Sequence, residues 1–160
     1  MTPAQAAAAL LRAMPQPVAT RQLEEYGIEA SESSARHVTR EILSLNLYWI
    51  LAAIDAHIPL KYRAAISEAL FESIRTRWWE SGQLGAGTWE EYQQELEERR
   101  TEYGRLVDKE GLSHMAVSAK AASLLEDQGS VSYEDRQKLL AFLIDYAPAA
   151  QYGRLLEEVG

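Results

Sequence analysis

The chain has 160 residues, of which 47% are hydrophobic and 25% charged; these values are typical of a globular protein and exclude a disordered or fibrous chain. It has no cysteine, which excludes disulfides and thiolate chemistry and favours a reducing compartment, so we expect a cytoplasmic protein. The net charge of -8 disfavours binding to nucleic acid and to anionic membranes.

The N-terminal residues are predicted to form two short helices. Thr2 is a suitable N-cap for an alanine-rich helix that ends at the first prolines. No Lys or Arg precedes its apolar part, so we do not expect a secretory signal peptide. A second helix is predicted over about 17–26, with Gly27 ending it in a left-handed conformation. The domain prediction is one helical domain over 1–160, and 1–26 is considered as a candidate semi-independent N-terminal arm.

The segment 42–54 is the most informative part of the chain, because only Ser44 and Asn46 in it are polar. A helix that is apolar on all sides must be covered on all sides. We therefore predict a buried central helix over about 33–57, which ends before Pro59. The apolar run is shorter than the about 20 residues that a bilayer requires, so no membrane span is predicted.

The rest of the chain is also predicted to be helical. Further helices are expected at about 60–80, 89–109, 112–128 and 132–146, and a short one follows Pro148. A glycine-rich loop, 81–87, separates the first two. The helix over 89–109 is mostly charged apart from a thin seam, so we expect it to be the outermost. The fold prediction is an all-α compact bundle of five main and two or three short helices around the buried central helix.

No combination of residues predicts an enzyme. The three histidines, His37, His57 and His114, are scattered, and the only pair suited to one helix face, His37 with Glu41, provides fewer ligands than a metal site needs. The serines lack a nucleophile elbow, and the glycine loop lacks the Lys-Ser/Thr of a phosphate loop. We therefore predict no catalytic residues, no metal and no cofactor.

The aromatic residues on either side of the glycine loop are the strongest candidates for a functional surface. One interpretation is that these rings pack on each other and hold two helices together. The other is that they contact a protein, because Trp, Tyr and Arg anchor interfaces. The candidate interface residues are Trp79, Trp89, Tyr92, Arg99 and Tyr103. The resulting prediction is a non-enzymatic protein that binds proteins, as a homo-oligomer, in the simplest case a dimer, an adaptor or a regulatory subunit.

Two alternative functions stay open. Residues 20–45 are predicted to contain a short helix, a turn and the start of a second helix, which is the order of elements in a helix–turn–helix. The second helix would contact DNA bases. Residues 1–60 contain more acidic than basic side chains, unlike the basic surface of a DNA-binding module. The other alternative is a helical bundle that holds a small ligand between its helices, which requires no motif in the sequence.

Overall fold

The computed structural model describes residues 2–109 and 114–159, without the side chains of 108, 109 and 159. Over this part of the chain it contains α-helices and no strand, so the all-α prediction is confirmed. The helices are α1 Pro3–Ala13, α2 Thr20–Glu25, α3 Glu32–His57, α4 Leu60–Ile74, α5 Trp89–Gly104, α6 His114–Asp127, α7 Arg136–Asp145 and α8 Ala149–Val159. Two π-helical turns, Arg75–Trp79 and Arg105–Lys109, continue α4 and α5, and a 3-10 turn, Tyr133–Asp135, precedes α7.

The helix boundaries follow from capping residues. The hydroxyls of Thr2, Ser31 and Thr88 each accept a hydrogen bond of 3.1 Å from the backbone N–H three residues later. Each bond satisfies one of the N–H groups that a helix start leaves without a partner. Gly27 and Gly129 follow α2 and α6 with φ of 79° and 74°, the left-handed conformation that glycine adopts at low cost.

Some boundaries differ from the prediction. The short helix α2 begins at Thr20 rather than near Pro17: Ala19 is extended, with φ of -100° and ψ of 161°, and the carbonyl of Val18 accepts from the Thr39 hydroxyl of α3 at 3.3 Å. The predicted helices at 60–80 and 89–109 both widen into five-residue π-helical turns near their ends. Gly111, the predicted end of the second of these, lies outside the described residues.

Helix α3 separates two hydrophobic cores and supplies side chains to both. The first core contains residues of α1, α4, α8 and the start of α5, and the second contains residues of α2, α6 and α7. Leu43, Leu47 and Ile50 face the first core, whereas Val38 and Leu45 belong to the second. The central helix is therefore buried on most sides, as its composition predicts, except that Ala52 within the apolar run is exposed and Trp49 is half-buried.

The segment 1–26, considered above as a semi-independent arm, lies against the rest of the chain. Helix α1 packs on α4 and α8 and buries Ala6, Leu10 and Leu11 in the first core. Leu23 of α2 is buried in the second core. Within the described residues, no helix has the length and apolar character needed to span a membrane.

Polar side chains on α3 fix the positions of its neighbours. Thr39 exchanges two hydrogen bonds with the backbone of Val18, of 2.9 and 3.3 Å. The Asn46 amide donates to the Tyr146 carbonyl at 2.9 Å and accepts from the Tyr152 hydroxyl at 2.7 Å. Because a buried polar group is costly unless it is paired, these bonds select one arrangement of the neighbouring segments.

Candidate functional site

A buried ion pair joins α3 to α5. The Arg99 Nε–H donates to Glu41 Oε1 at 2.8 Å, and the Tyr103 hydroxyl donates to the same oxygen at 2.8 Å. Only 3% of the Glu41 side chain and 10% of the Arg99 side chain are exposed. The opposite charges of Arg99 on α5 and Glu41 on α3 therefore compensate each other inside the protein.

Burial shifts the pKa values of the groups in this contact. Desolvation raises the pKa of the Glu41 carboxyl above its ordinary value, while the charge of Arg99 and the bonds from Arg99 and Tyr103 act in the opposite direction. Desolvation and the Glu41 carboxyl also raise the pKa of Tyr103. Since the carboxyl is enclosed and bonded to two donors, it acts as a positioning group that holds α5 on α3.

A second polar contact ties the glycine loop to the same two helices. Arg40 of α3 donates to Glu95 Oε2 at 2.7 Å and to the Leu84 carbonyl at 3.1 Å. Its guanidinium also lies over the Tyr92 ring, 5.0 Å from the centroid. The Tyr92 hydroxyl is 3.1 Å from Ser44 Oγ. Helix α5 is thus held on α3 at several points along its length.

The predicted interface residues fall into two groups. Tyr92, Arg99 and Tyr103 are buried within this chain, where they pack on α3. Trp79 and Trp89 are half-buried and pack with Tyr92, with ring centroids 6.1 Å apart for Trp79 and Trp89 and 6.2 Å apart for Trp79 and Tyr92. The rings therefore pack on each other between the two helices, and contact of Trp79 and Trp89 with a partner stays a prediction.

An open groove of about 600 Å³ lies beside this contact, between the C-terminal halves of α3 and α5. We call it the α3–α5 groove. It is lined by Tyr48, Trp49, Ala52, Asp55, Ala56, Glu97, Arg100, Thr101, Gly104 and Val107. The groove exists because Ala52, Ala56 and Gly104 are too small to fill the space between two helices that the buried ion pair holds in place.

Aromatic rings form the closed side of the groove, and charges form its rim. Tyr48 packs edge-to-face on Trp49, with centroids 5.0 Å apart, and on Tyr103, with centroids 5.6 Å apart. On the rim, Arg100 pairs with Glu97 at 2.9 Å. Tyr48 thus connects the groove to Tyr103 and so to the buried carboxyl of Glu41. A lining that mixes polar and apolar groups suits the binding of an amphipathic segment.

The residues considered for a metal site are not brought together. His37 Nδ1 is 2.9 Å from Ser130 Oγ, whereas Glu41 is bonded to Arg99. In the described ranges, no group of three or more potential ligands is placed to hold a metal ion.

The helix–turn–helix alternative corresponds to α2, the turn at Gly27 and the start of α3. Glu32, Ser33 and Arg36 are exposed there, while α3 is largely buried from Val38 onward. The surface that this alternative offers to DNA is therefore short and of mixed charge.

Sequence reasoning missed both the ion pair and the groove. The sequence does contain a trace of the ion pair: Arg99 occupies a seam position of α5, and Glu41 directly precedes the apolar run of α3. An acidic and a basic residue that both become buried are expected to pair. The groove depends on small residues of two helices that are distant in sequence, which a reading of each helix alone does not reveal.

Comparisons with family models, with curated proteins and with solved structures found no match to this chain, so no relative contributes to its functional interpretation.

Proposed function

We propose that this chain is a non-enzymatic protein-interaction module of the cytoplasm and that the α3–α5 groove is its docking site. The observation that carries the proposal is the groove itself, in which small side chains leave the half-buried ring of Trp49 accessible between two firmly joined helices. An open groove that combines an aromatic ring with charged and polar groups suits a polypeptide segment that carries both kinds of side chain.

The charges around the groove support a protein ligand over a nucleic acid. Asp55 and Glu97 lie on the rim with Arg100, which Glu97 already pairs. A phosphate backbone would meet an excess of negative charge here.

Site-specific photo-crosslinking tests the proposal. A benzoylphenylalanine replaces Thr101, which lines the groove. In a control protein it replaces Arg12, which is exposed on α1 and does not line the groove. Each protein is irradiated in an extract of the source cells, and the adducts are identified by mass spectrometry. We expect a discrete protein adduct from the Thr101 position and none from the Arg12 position.

A groove-filling substitution provides the matched control. Ala52 is exposed in the groove, so Ala52→Trp fills the groove without entering the core, and we expect it to abolish the Thr101 adduct. If the adduct persists in Ala52→Trp, or if Thr101 and Arg12 give the same products, the groove is not a docking site. A small molecule that co-purifies and is displaced by Ala52→Trp would instead support the ligand-binding alternative.

A further inference from the structure

We propose that the chain binds a small apolar carboxylate in a second pocket, which we call the α8 pocket. This inference goes beyond the proposed docking function and does not depend on it. The α8 pocket is lined by Trp49 of α3, His114 of α6, residues 147–148 and the first two turns of α8. Its open space of about 400 Å³ lies within the roughly 300–1,000 Å³ typical of small-molecule sites. Among the described lining residues, only Trp49 belongs to both this pocket and the α3–α5 groove.

The walls of the α8 pocket are mostly apolar. The three alanines and the proline of 147–150 form one wall, and the half-buried ring of Trp49 packs with His114, with centroids 5.2 Å apart. His114 Nε2 is 3.1 Å from the Ala147 carbonyl oxygen. Because a carbonyl only accepts, Nε2 carries the hydrogen and donates, which fixes the imidazole against the indole. The pocket therefore offers a surface on which the flat apolar body of a ligand can lie.

The charge of the α8 pocket is positive. Arg154 is exposed and forms no ion pair with a described residue. Ala150, Gln151 and Arg154 are three and four residues apart on α8, so they share the helix face that borders the pocket. None of the described lining residues is acidic, although the chain as a whole carries a net charge of -8. The anion-binding group is therefore available inside an otherwise acidic protein.

The combination of an apolar wall and one guanidinium defines the ligand class. A guanidinium binds a carboxylate through two parallel hydrogen bonds, and Gln151 provides a further amide donor beside it. The start of α8 adds a partial positive charge on the same side. A ligand that matches these features has a compact apolar body and a single carboxylate.

Titration with 2-naphthoate tests the proposal. The probe has a flat apolar body and one carboxylate, and binding is followed by the chemical shifts of the backbone amides. We expect saturable shifts around the α8 pocket, with a dissociation constant of about 1 mM or lower, the affinity typical of a ligand with about 13 heavy atoms. Acetate, which carries the charge without the apolar body, is expected to give no saturable shifts over the same concentrations.

Two arginine variants separate the contact with the carboxylate from the general effect of charge. Arg154→Met is expected to raise the dissociation constant of 2-naphthoate by about tenfold or more, the effect of losing a charge-assisted hydrogen bond. Arg36→Met is the matched control, because Arg36 is also exposed and forms no ion pair with a described residue, but lies on α3 and does not line the pocket. It removes the same charge and is expected to leave the affinity unchanged.

Two space-filling variants locate the bound probe. Ala150 is exposed in the α8 pocket, so Ala150→Trp fills the pocket without entering the core, and we expect it to abolish the saturable shifts. Ala52→Trp fills the α3–α5 groove instead and is expected to leave binding of 2-naphthoate unchanged. Circular dichroism of each variant establishes that it is folded.

Several results would overturn the inference. These are a wild-type dissociation constant above about 10 mM, equal affinities of Arg154→Met and Arg36→Met, and binding that persists in Ala150→Trp. Loss of binding in Ala52→Trp would place the probe in the α3–α5 groove and would also overturn it. The proposed docking function is tested separately by the Thr101 adduct, so it can fail or stand whatever the result with 2-naphthoate.

Discussion

The substitution Arg99→Met tests whether the buried ion pair holds α5 on α3. It leaves the Glu41 carboxyl, 3% exposed, with the Tyr103 hydroxyl as its donor. Removing one partner of a buried pair costs about 3–5 kcal/mol, because the remaining charge stays buried. For a domain of this size, about 2–4 °C is lost per kcal/mol, so the melting temperature is expected to fall by about 6–20 °C. Urea denaturation followed by circular dichroism measures the free energy of unfolding.

The matched control is the neighbouring arginine of the same helix. Arg100 pairs with Glu97 at 2.9 Å, but these side chains are 36% and 68% exposed. An exposed pair contributes about 0–1 kcal/mol, so Arg100→Met is expected to change stability little. If Arg99→Met costs no more than Arg100→Met, the ion pair does not stabilise the helix contact and the reasoning is wrong.

An all-apolar replacement separates the charge effect from packing. In the triple variant Glu41→Leu/Arg99→Met/Tyr103→Phe, no charge or hydroxyl remains unpaired, and stability is expected to return to within about 1–2 kcal/mol of the wild type. The double variant without Tyr103→Phe leaves that buried hydroxyl without its acceptor and is expected to lie about 1–3 kcal/mol lower.

The cost of Arg99→Met also depends on pH. Burial raises the pKa of Glu41 in the folded protein, so folding favours the protonated carboxyl. The associated stability is present below the pKa of the unfolded chain and is lost as the pH rises. Arg99 opposes this rise in the pKa of Glu41, so the pKa is expected to rise further when Arg99 is removed. The destabilisation is therefore expected to be smaller at about pH 4 than at about pH 7, and a cost that is the same at both pH values contradicts this account.

Three further predictions concern other contacts. Hydrogen bonding to Asp145 raises the pKa of Tyr26 to about 12; the stability that this bond provides is present below about pH 10 and lost as the pH rises towards 12. We expect Asp145→Asn to shift part of the tyrosinate absorbance at 295 nm to lower pH. Asn46→Ala leaves the buried Tyr152 hydroxyl without its acceptor and is expected to cost about 2–4 kcal/mol in urea denaturation. Gly129→Ala is expected to cost about 1–2 kcal/mol, as a purely conformational effect, because φ is 74° and the added Cβ meets no atom.

Each of these three predictions has a control that the structure supplies. Tyr133→Phe removes an exposed hydroxyl and is expected to leave the difference between the titrations of wild type and Asp145→Asn unchanged. Gln151→Ala changes an exposed position of the same helix as Tyr152, and a cost equal to that of Asn46→Ala would refute the hydrogen-bond explanation. Gly129→Asn is expected to be milder than Gly129→Ala, since asparagine tolerates the left-handed conformation; the reverse order would contradict the conformational account.

Much of the fold was accessible from the sequence, because it depends on local periodicity. Ile66, Leu70, Ile74 and Trp78 recur at every fourth position, the spacing of one helix face, and all four are buried. The seam of α5 is likewise buried at Tyr92, Leu96, Arg99 and Tyr103. In each case the helix period decides the outcome, and no knowledge of a partner helix is needed.

The candidate site was less accessible, because it depends on which helices meet. Glu41 was considered only with His37 of the same helix, whereas it bonds to Arg99 and Tyr103 of α5. The π-helical turns that end α4 and α5 also leave no mark in the periodicity of the apolar residues. Groove residues such as Ala52 and Gly104 acquire their role only when two helices lie side by side.

Because α3 forms a wall of both cores, the two halves of the molecule cannot unfold separately without exposing one of its faces to water. Amide protons in the middle of α3 are therefore expected to exchange with solvent only when the entire chain opens, and to be the slowest in the protein. A substitution that loosens the packing of α1 in the first core is then expected to accelerate amide exchange throughout α7 in the second core. Direct contact between the two helices is not required. A loss of stability in one core therefore spreads to the other through the shared helix α3, and no single contact between the two cores is responsible.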